Sequence, residues 1–289
     1  MPIDTIYTLG PEGTFSDYAA RRLNQYLVRA GQSAGAEISY TRTIPEALEL
    51  ASRRESARAV APIENSEAGT VVATQDHLAR HGLHIEWEIN VRVRFTLVAD
   101  APLADVARLY THPVALEQCD LFVAAHLSRA EVALTRSNVD SGIRWASAPP
   151  GDRAAAIVPS DYTPGRTPPV QVPTVQNTER NTTRFVVVRG DAGPRGAFAA
   201  DFSRAKTSLL VEPHADRPGL LFDILSAFKK HGINLCRIES RPARTSPWAY
   251  VFYLDITNNE KSADAVRELM GGPWNVVLLG TFDALPEVG

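Results

Sequence analysis

At 289 residues and 44% hydrophobic side chains, the chain is long for one core and has ample apolar content for two. Its formal charge of -3, with no dense Lys or Arg block, excludes nucleic acid and anionic membrane surfaces as partners and leaves a small molecule. Only Cys119 and Cys236 occur, which makes neither a disulfide framework nor a four-ligand metal site; no apolar run reaches the roughly 18 residues of a spanning helix, and the expected compartment is the cytoplasm.

Residues 5–9 read as a strand, 10–13 as a turn, and Thr14 or Ser16 as the cap of a helix carrying Tyr18, Ala19, Leu23 and Leu27. Helical spacing at 44–50, a buried strand at 57–63 and a helix at 70–79 continue the alternation of an α/β fold. From 85 to 99 the chain reads as extended, with Ile89, Val91, Val93 and Phe95 alternating against Asn90, Arg92 and Arg94, and such a strand could cross between two lobes. A strand at 109–111, a helix at 113–126 and a strand at 131–135 supply the second lobe. Pro149, Pro150, Pro159, Pro164, Pro168, Pro169 and Pro173 reduce 148–173 to loop and extended chain. A strand at 185–189 ends this part, and 190–196 has linker composition. Beyond it, strand 207–211, helix 218–231, strands 233–239 and 249–256, helix 262–270 and strand 275–279 spell βαββαβ, the ferredoxin-like arrangement.

Polar motifs punctuate these elements. Thr14 and Ser16 sit where a helix N-terminus offers free N–H groups to an anion, and a plain capping role competes evenly with that one. Glu64, Asn65 and Ser66 follow an apolar strand, a common place for binding residues in α/β folds. Asn65 and Ser66 can donate to a carboxylate or keto group, and Glu64 can accept from a hydroxyl or orient a donor. The plainer reading makes Ser66 or Thr70 a helix cap. Gln118, about two turns into a helix, can face a cleft, Cys119 reads as core, and His112 before Pro113 reads as a turn residue.

In order along the chain, Gly10-Pro11-Glu12-Gly13-Thr14-Phe15-Ser16, Pro62-Ile63-Glu64-Asn65-Ser66, Thr183-Arg184-Phe185 and Glu239-Ser240-Arg241-Pro242 resemble the prephenate dehydratase family with a C-terminal ACT domain, over nearly the whole length. The resemblance implies a two-lobed, periplasmic-binding-protein-like α/β catalytic domain over 1–190, a linker over 191–205 and a ferredoxin-like ACT domain over 206–289. It implies conversion of prephenate to phenylpyruvate with loss of CO2 and water, no metal or organic cofactor, and Thr183 as the catalytic residue. A hydroxyl within reach of the leaving oxygen helps water depart as the ring becomes aromatic, acting as donor or relay because a threonine is a poor acid alone. Arg184 could hold a carboxylate but ranks below Thr183, since neighbours on a strand point to opposite faces. Phe185, Thr111, Gln118, Thr14, Ser16, Glu64, Asn65 and Ser66 complete the expected substrate site, Thr111 replacing the usual Ser. Gly219, Leu220, Leu221, Asn234, Glu239, Ser240, Arg241 and Pro242 are the expected L-phenylalanine site at a subunit interface, which implies a homodimer or homotetramer. Phe95 replaces a family His, Ser137-Asn138 replaces a Ser-Thr pair, and the proline-rich stretch rewrites a family helix. Rival readings are arogenate as the substrate, or a non-catalytic amino-acid sensor on the same frame.

Overall fold

The computed structural model describes residues 2–79, 82–190, 200–243 and 248–286. The first lobe comprises β1 (Thr5–Leu9), α1 (Phe15–Arg29), β2 (Glu37–Thr41), α2 (Ile44–Ser52), β3 (Ala57–Asn65), β4 (Gly69–Thr70), α3 (Val72–Leu78) and β5 (Leu83–Arg92). The chain then crosses to a second lobe of β6 (Phe95–Ala99), β7 (Arg108–Thr111), α4 (Pro113–Gln118), α5 (Asp120–His126), β8 (Glu131–Leu134), α6 (Asn138–Ser147), β9 (Ala154–Pro159) and β10 (Val170–Pro173). It returns to the first lobe as β11 (Thr182–Gly190). The C-terminal unit follows as β12 (Lys206–Pro213), α7 (Leu220–Lys230), β13 (Asn234–Pro242), β14 (Tyr250–Thr257), α8 (Ser262–Met270) and β15 (Trp274–Ala284).

Among the described residues, the second lobe is built on a five-stranded sheet of order β10-β6-β9-β7-β8. The other sheet has ten strands and runs β13-β14-β12-β15-β5-β11-β3-β1-β2, with β4 beside β3. The first lobe and the C-terminal unit therefore share one continuous sheet, joined by a parallel pairing of β15 with β5. At that junction a Cβ on Gly280 would lie 2.4 Å from the Ile85 carbonyl oxygen, so only glycine lets the strands meet. The βαββαβ order holds, α7 and α8 burying Ile224, Phe228, Ala265 and Leu269 against one face of the C-terminal sheet. The opposite face of that sheet, through Leu210, Tyr253 and Leu279, packs into the core built on α2 and α3.

Several elements differ from the sequence expectation, each for a physical reason. The extended run at 85–99 is two strands in two sheets, broken at Val93-Arg94, and this is the crossing between lobes. The single helix expected at 113–126 is two, because the chain bends at Cys119 and Asn177 inserts there, donating to the Glu117 carbonyl and Asp120 and accepting from the Leu121 N–H. The extended chain expected in the proline-rich stretch includes β9, whose six residues are all buried between β6 and β7; Pro149 and Pro150 precede it, Pro159 ends it and the other prolines follow. The last strand is longer than 275–279 because its second half, while still paired with β12 through Phe282, also takes β5 on its other edge. The greater part of the expected linker, 191–199, lies outside the described residues.

Candidate active site

Thr183 and Asn65 face each other across the antiparallel pair of β11 and β3. The Asn65 amide orientation is fixed locally, since its Oδ1 accepts the backbone N–H groups of Glu67 at 3.0 Å and Ala68 at 2.9 Å. Its Nδ2 must then donate outward, to Thr183 Oγ1 at 2.9 Å and Asn181 Oδ1 at 2.8 Å. Thr183 is thereby an acceptor toward the protein, and its own hydroxyl hydrogen stays available to a group outside the sheet. The side chain is half-buried, at the edge where the chain passes between lobes, so its oxygen is not sealed inside a core. Asn65 and Asn181 beneath it are buried at 9% and 1% exposure, which makes the triad stiff.

A β-bulge makes this arrangement possible. Along β3, Val60 pairs Val187 and Pro62 pairs Phe185, but Glu64 pairs Arg184 and Asn65 pairs Thr183, leaving Ile63 as the extra residue. Strict alternation from Val60 and Pro62 would aim Glu64 at the Thr183 face and Asn65 away from it; the inserted residue swaps them. Ser66 then locks the strand ends together, its N–H donating to the Thr182 carbonyl and its Oγ accepting from the Thr182 N–H. Neither Ser66 nor Thr70 caps α3, whose cap position is Val71 without a side-chain bond.

Glu64 and Arg184 lie on the other face, in an ion cluster shared with the C-terminal unit. The Arg184 guanidinium donates to Asp255 on β14 and lies 3.5 Å from Glu64 and 3.6 Å from Glu88. Lys206 on β12 reaches Glu88 at 2.7 Å, and Arg237 on β13 stands 3.6 Å from Glu64 while donating to Gln75 at 2.9 Å. Glu239 accepts from the Thr70 hydroxyl at 2.9 Å. Burial opposes the charge on Arg184, but Asp255, Glu88 and Glu64 outweigh it and hold the guanidinium firmly protonated. The expected contacts of Arg184 and Glu64 with substrate do not fit this placement: both side chains join domains.

Other expected residues divide similarly. Phe185 is 1% exposed and packs under α1 with Ile89 and Val187, so it belongs to the core. Thr14 caps α1, accepting from the Asp17 N–H while donating to the Pro11 carbonyl, and Ser16 is buried in the first turn. Asp17 pins the motif from within, accepting the Gly13 N–H at 2.8 Å and the Tyr40 hydroxyl at 2.7 Å. Burial, then the Asp17 bond, push the Tyr40 phenol up to about 12. Thr111 is fully buried and its hydroxyl points to the His112 carbonyl, whereas His112 caps α4 by accepting the Val114 N–H on Nδ1. Gln118 ends α4 beside the returning segment, its carbonyl accepting the Asn177 N–H. Cys119 is core, its thiol pushed up to about 12 by burial.

The lobes meet at the Gly10-to-Ser16 motif. Phe15 stacks edge-on against Phe95 at 5.6 Å between centroids, and a Cβ on Gly13 would touch Tyr162 and Val139. Tyr162 comes from the proline-rich stretch, and no periodicity marked it. Ser137 caps α6 by accepting from the Asp140 N–H, so α1, α4 and α6 all begin just after the carboxyl ends of parallel strands, the side where ligands bind in such sheets.

In the C-terminal unit a cavity of about 810 Å³ is lined by Gly219, Leu220, Leu221, Arg241 and Pro242 together with Asp76 of α3. Gly219, at φ 80°, occupies a left-handed backbone position at the start of α7. The Arg241 Nε is buried there without a hydrogen-bond partner among the described residues. Asn234 starts β13, roughly 26 Å of strand from Pro242, and Ser240 and Glu239 do not line the cavity, so the chain does not gather all eight expected residues. Among the described residues no cluster of three or more His, Cys, Asp or Glu could hold a metal ion, and no helix is long and apolar enough to cross a membrane.

The prephenate dehydratase profile matches residues 6–192 and the ACT domain profile residues 207–270. A prephenate dehydratase of Mycobacterium leprae is 32% identical over 292 residues, covering 98% of this chain and 88% of that protein. A bifunctional chorismate mutase/prephenate dehydratase of Stutzerimonas stutzeri is 30% identical over 88% of this chain, which spans 65% of that longer relative. The crystal structure of the Arthrobacter aurescens prephenate dehydratase in complex with L-Phe superposes with a TM-score of 0.78 at 30% identity, over 98% of this chain and 92% of that one. With the Thr183 triad, the two-lobed fold and the appended βαββαβ unit all in place, the chain belongs to the prephenate dehydratase family and carries an ACT domain at its C-terminal end.

Proposed function

We propose that this chain converts prephenate to phenylpyruvate, CO2 and water in the cleft between its lobes, and that L-phenylalanine inhibits it through the ACT domain. The observation that carries the reading is the Asn65 amide, which donates to Thr183 Oγ1 and so leaves the threonine's own hydroxyl hydrogen for a substrate oxygen. In the reaction the ring carboxylate leaves as CO2, its bonding pair enters the ring, and the C–O bond at the opposite carbon breaks. The departing oxygen needs one proton to leave as water. Thr183 supplies a hydrogen bond to that oxygen and relays a solvent proton, which suits a neutral hydroxyl better than a carboxylate that would repel the developing charge. Helices α1 and α6 begin at the ends of their lobes where ligands bind in such sheets, and N-termini so placed suit the two substrate carboxylates.

The 810 Å³ cavity supports the regulatory half: apolar Leu220 and Leu221 suit an aromatic ring, and the unpartnered Arg241 Nε suits a carboxylate. The relative solved with L-Phe makes phenylalanine the first effector to try. Exposed Leu221, Phe222, Trp248 and Tyr250 around the cavity support a homodimer or homotetramer. The test is purified protein with prephenate, following phenylpyruvate with and without phenylalanine. Turnover that phenylalanine suppresses is expected; no phenylpyruvate overturns the catalytic reading, and phenylalanine-insensitive turnover overturns the regulatory one.

A further inference from the structure

Asn181 ends the segment that returns from the second lobe, two residues before Thr183, and is 1% exposed. Its orientation follows from its neighbours. Asn65 can present only Nδ2 toward it, so Asn181 must present Oδ1, at 2.8 Å; the reverse would set two amide nitrogens face to face. The Asn181 Nδ2 is therefore turned to the far side of its own amide, where it is buried and has no acceptor. The Asn181 backbone carbonyl is engaged separately, accepting the Val93 N–H at the outward crossing, so the residue is held from both sides. A buried donor left unmatched is a standing cost, which a ligand or an ordered water that completes the bond offsets.

We propose that Asn181 is a further catalytic residue, whose Nδ2 donates a hydrogen bond to the departing hydroxyl oxygen alongside Thr183. The proposal rests on the dehydration reading. No proton leaves Asn181: as the C–O bond breaks, the amide stabilises charge gathering on the oxygen, and the proton that completes water arrives through Thr183 from solvent. Asn65 holds both the Thr183 hydroxyl and the Asn181 amide by hydrogen bonds, so two neutral donors of one bonded set would meet that oxygen, and donors of this kind act on the transition state more than on the bound substrate.

The deciding variant is Asn181→Asp, which keeps an acceptor for Asn65 and replaces the free donor with an oxygen of the same size. Donation predicts that kcat for prephenate falls about 100-fold with KM within about threefold. Part of the loss returns as pH is lowered and the carboxyl regains a hydrogen to donate. Wild-type kcat in Asn181→Asp, or a change in KM alone, overturns the proposal and leaves the dehydration reading standing. A wild-type protein without turnover removes both. Should Asn181→Asp fail to fold, Asn181→Ala, which has no side-chain donor, serves in its place: a fall in kcat of about 100-fold at unchanged melting temperature supports the donor, and wild-type kcat overturns it.

Discussion

Strands β3 and β11 carry the proposed chemistry on one face and a domain contact on the other, and the two faces are built on opposite electrostatic plans. On the first, Asn65, Asn181 and Thr183 form a neutral chain in which every orientation is fixed by hydrogen bonds. On the second, Arg184, Lys206 and Arg237 interleave with Glu64, Glu88 and Asp255 across the junction with the ACT domain. A neutral donor set serves a reaction whose leaving group needs a hydrogen bond without a competing charge. Paired charges, costly to bury singly, suit a junction that must hold one register. Thr183 and Arg184 are adjacent in sequence yet belong to different functions, which follows from the two-residue period of a strand.

The comparison can be broken from either side. Asn65→Ala removes the amide that orients Thr183 and Asn181 and frees two turn N–H groups, so kcat should fall about 100-fold and the melting temperature should drop as well. A kcat within threefold of wild type would contradict the orienting role. Asp255→Ala leaves Arg184 facing fewer carboxylates in a buried site; urea unfolding should show a loss of about 3–5 kcal/mol, with prephenate KM little changed in protein that remains folded. A large rise in KM with full stability would instead return Arg184 to the substrate. Gly280→Ala forces a Cβ against the Ile85 backbone and should cost about 1–3 kcal/mol, with the first lobe and ACT domain losing protection together in hydrogen exchange. Unchanged protection at β15 would mean the shared sheet is not the junction.

The smallest effect concerns His112. Burial lowers its pKa, so the neutral ring that accepts the Val114 N–H is the form the fold prefers. The unfolded chain then binds the proton more readily, and this contribution is present above the ordinary imidazole range and lost as pH falls through it toward the lowered folded value. His112→Asn, a cap that does not titrate in that range, should flatten this part of the stability curve. An identical curve in the variant would contradict it.

Much of this was legible in the chain. The βαββαβ order, the two lobes and the Thr14 cap follow from periodicity and capping chemistry, because those signals are local. The roles of Glu64 and Asn65 were not separable, since a bulge at Ile63 exchanges their faces and no local rule announces it. Strand β9 was legible only as extended chain because its Ala-Ala-Ala-Ile-Val run is framed by prolines, and burial on both faces erases the alternation that marks a half-exposed strand. The ion cluster could not be read at all: its members come from β3, β5 and β11 on one side and β12, β13 and β14 on the other, and only the fold brings them together. Asn181 stood in plain view before Thr183, but its unmatched nitrogen is a property of three interlocking amide and hydroxyl orientations.

The most direct measurement is kcat for prephenate in Thr183→Val and Thr183→Ser. Valine keeps the size and branching of threonine and removes the hydroxyl; serine keeps the hydroxyl. A loss of 100-fold or more in the valine variant, at about the wild-type melting temperature, with serine retaining much of the rate, is the predicted result. A valine variant that turns over prephenate at the wild-type rate would contradict it.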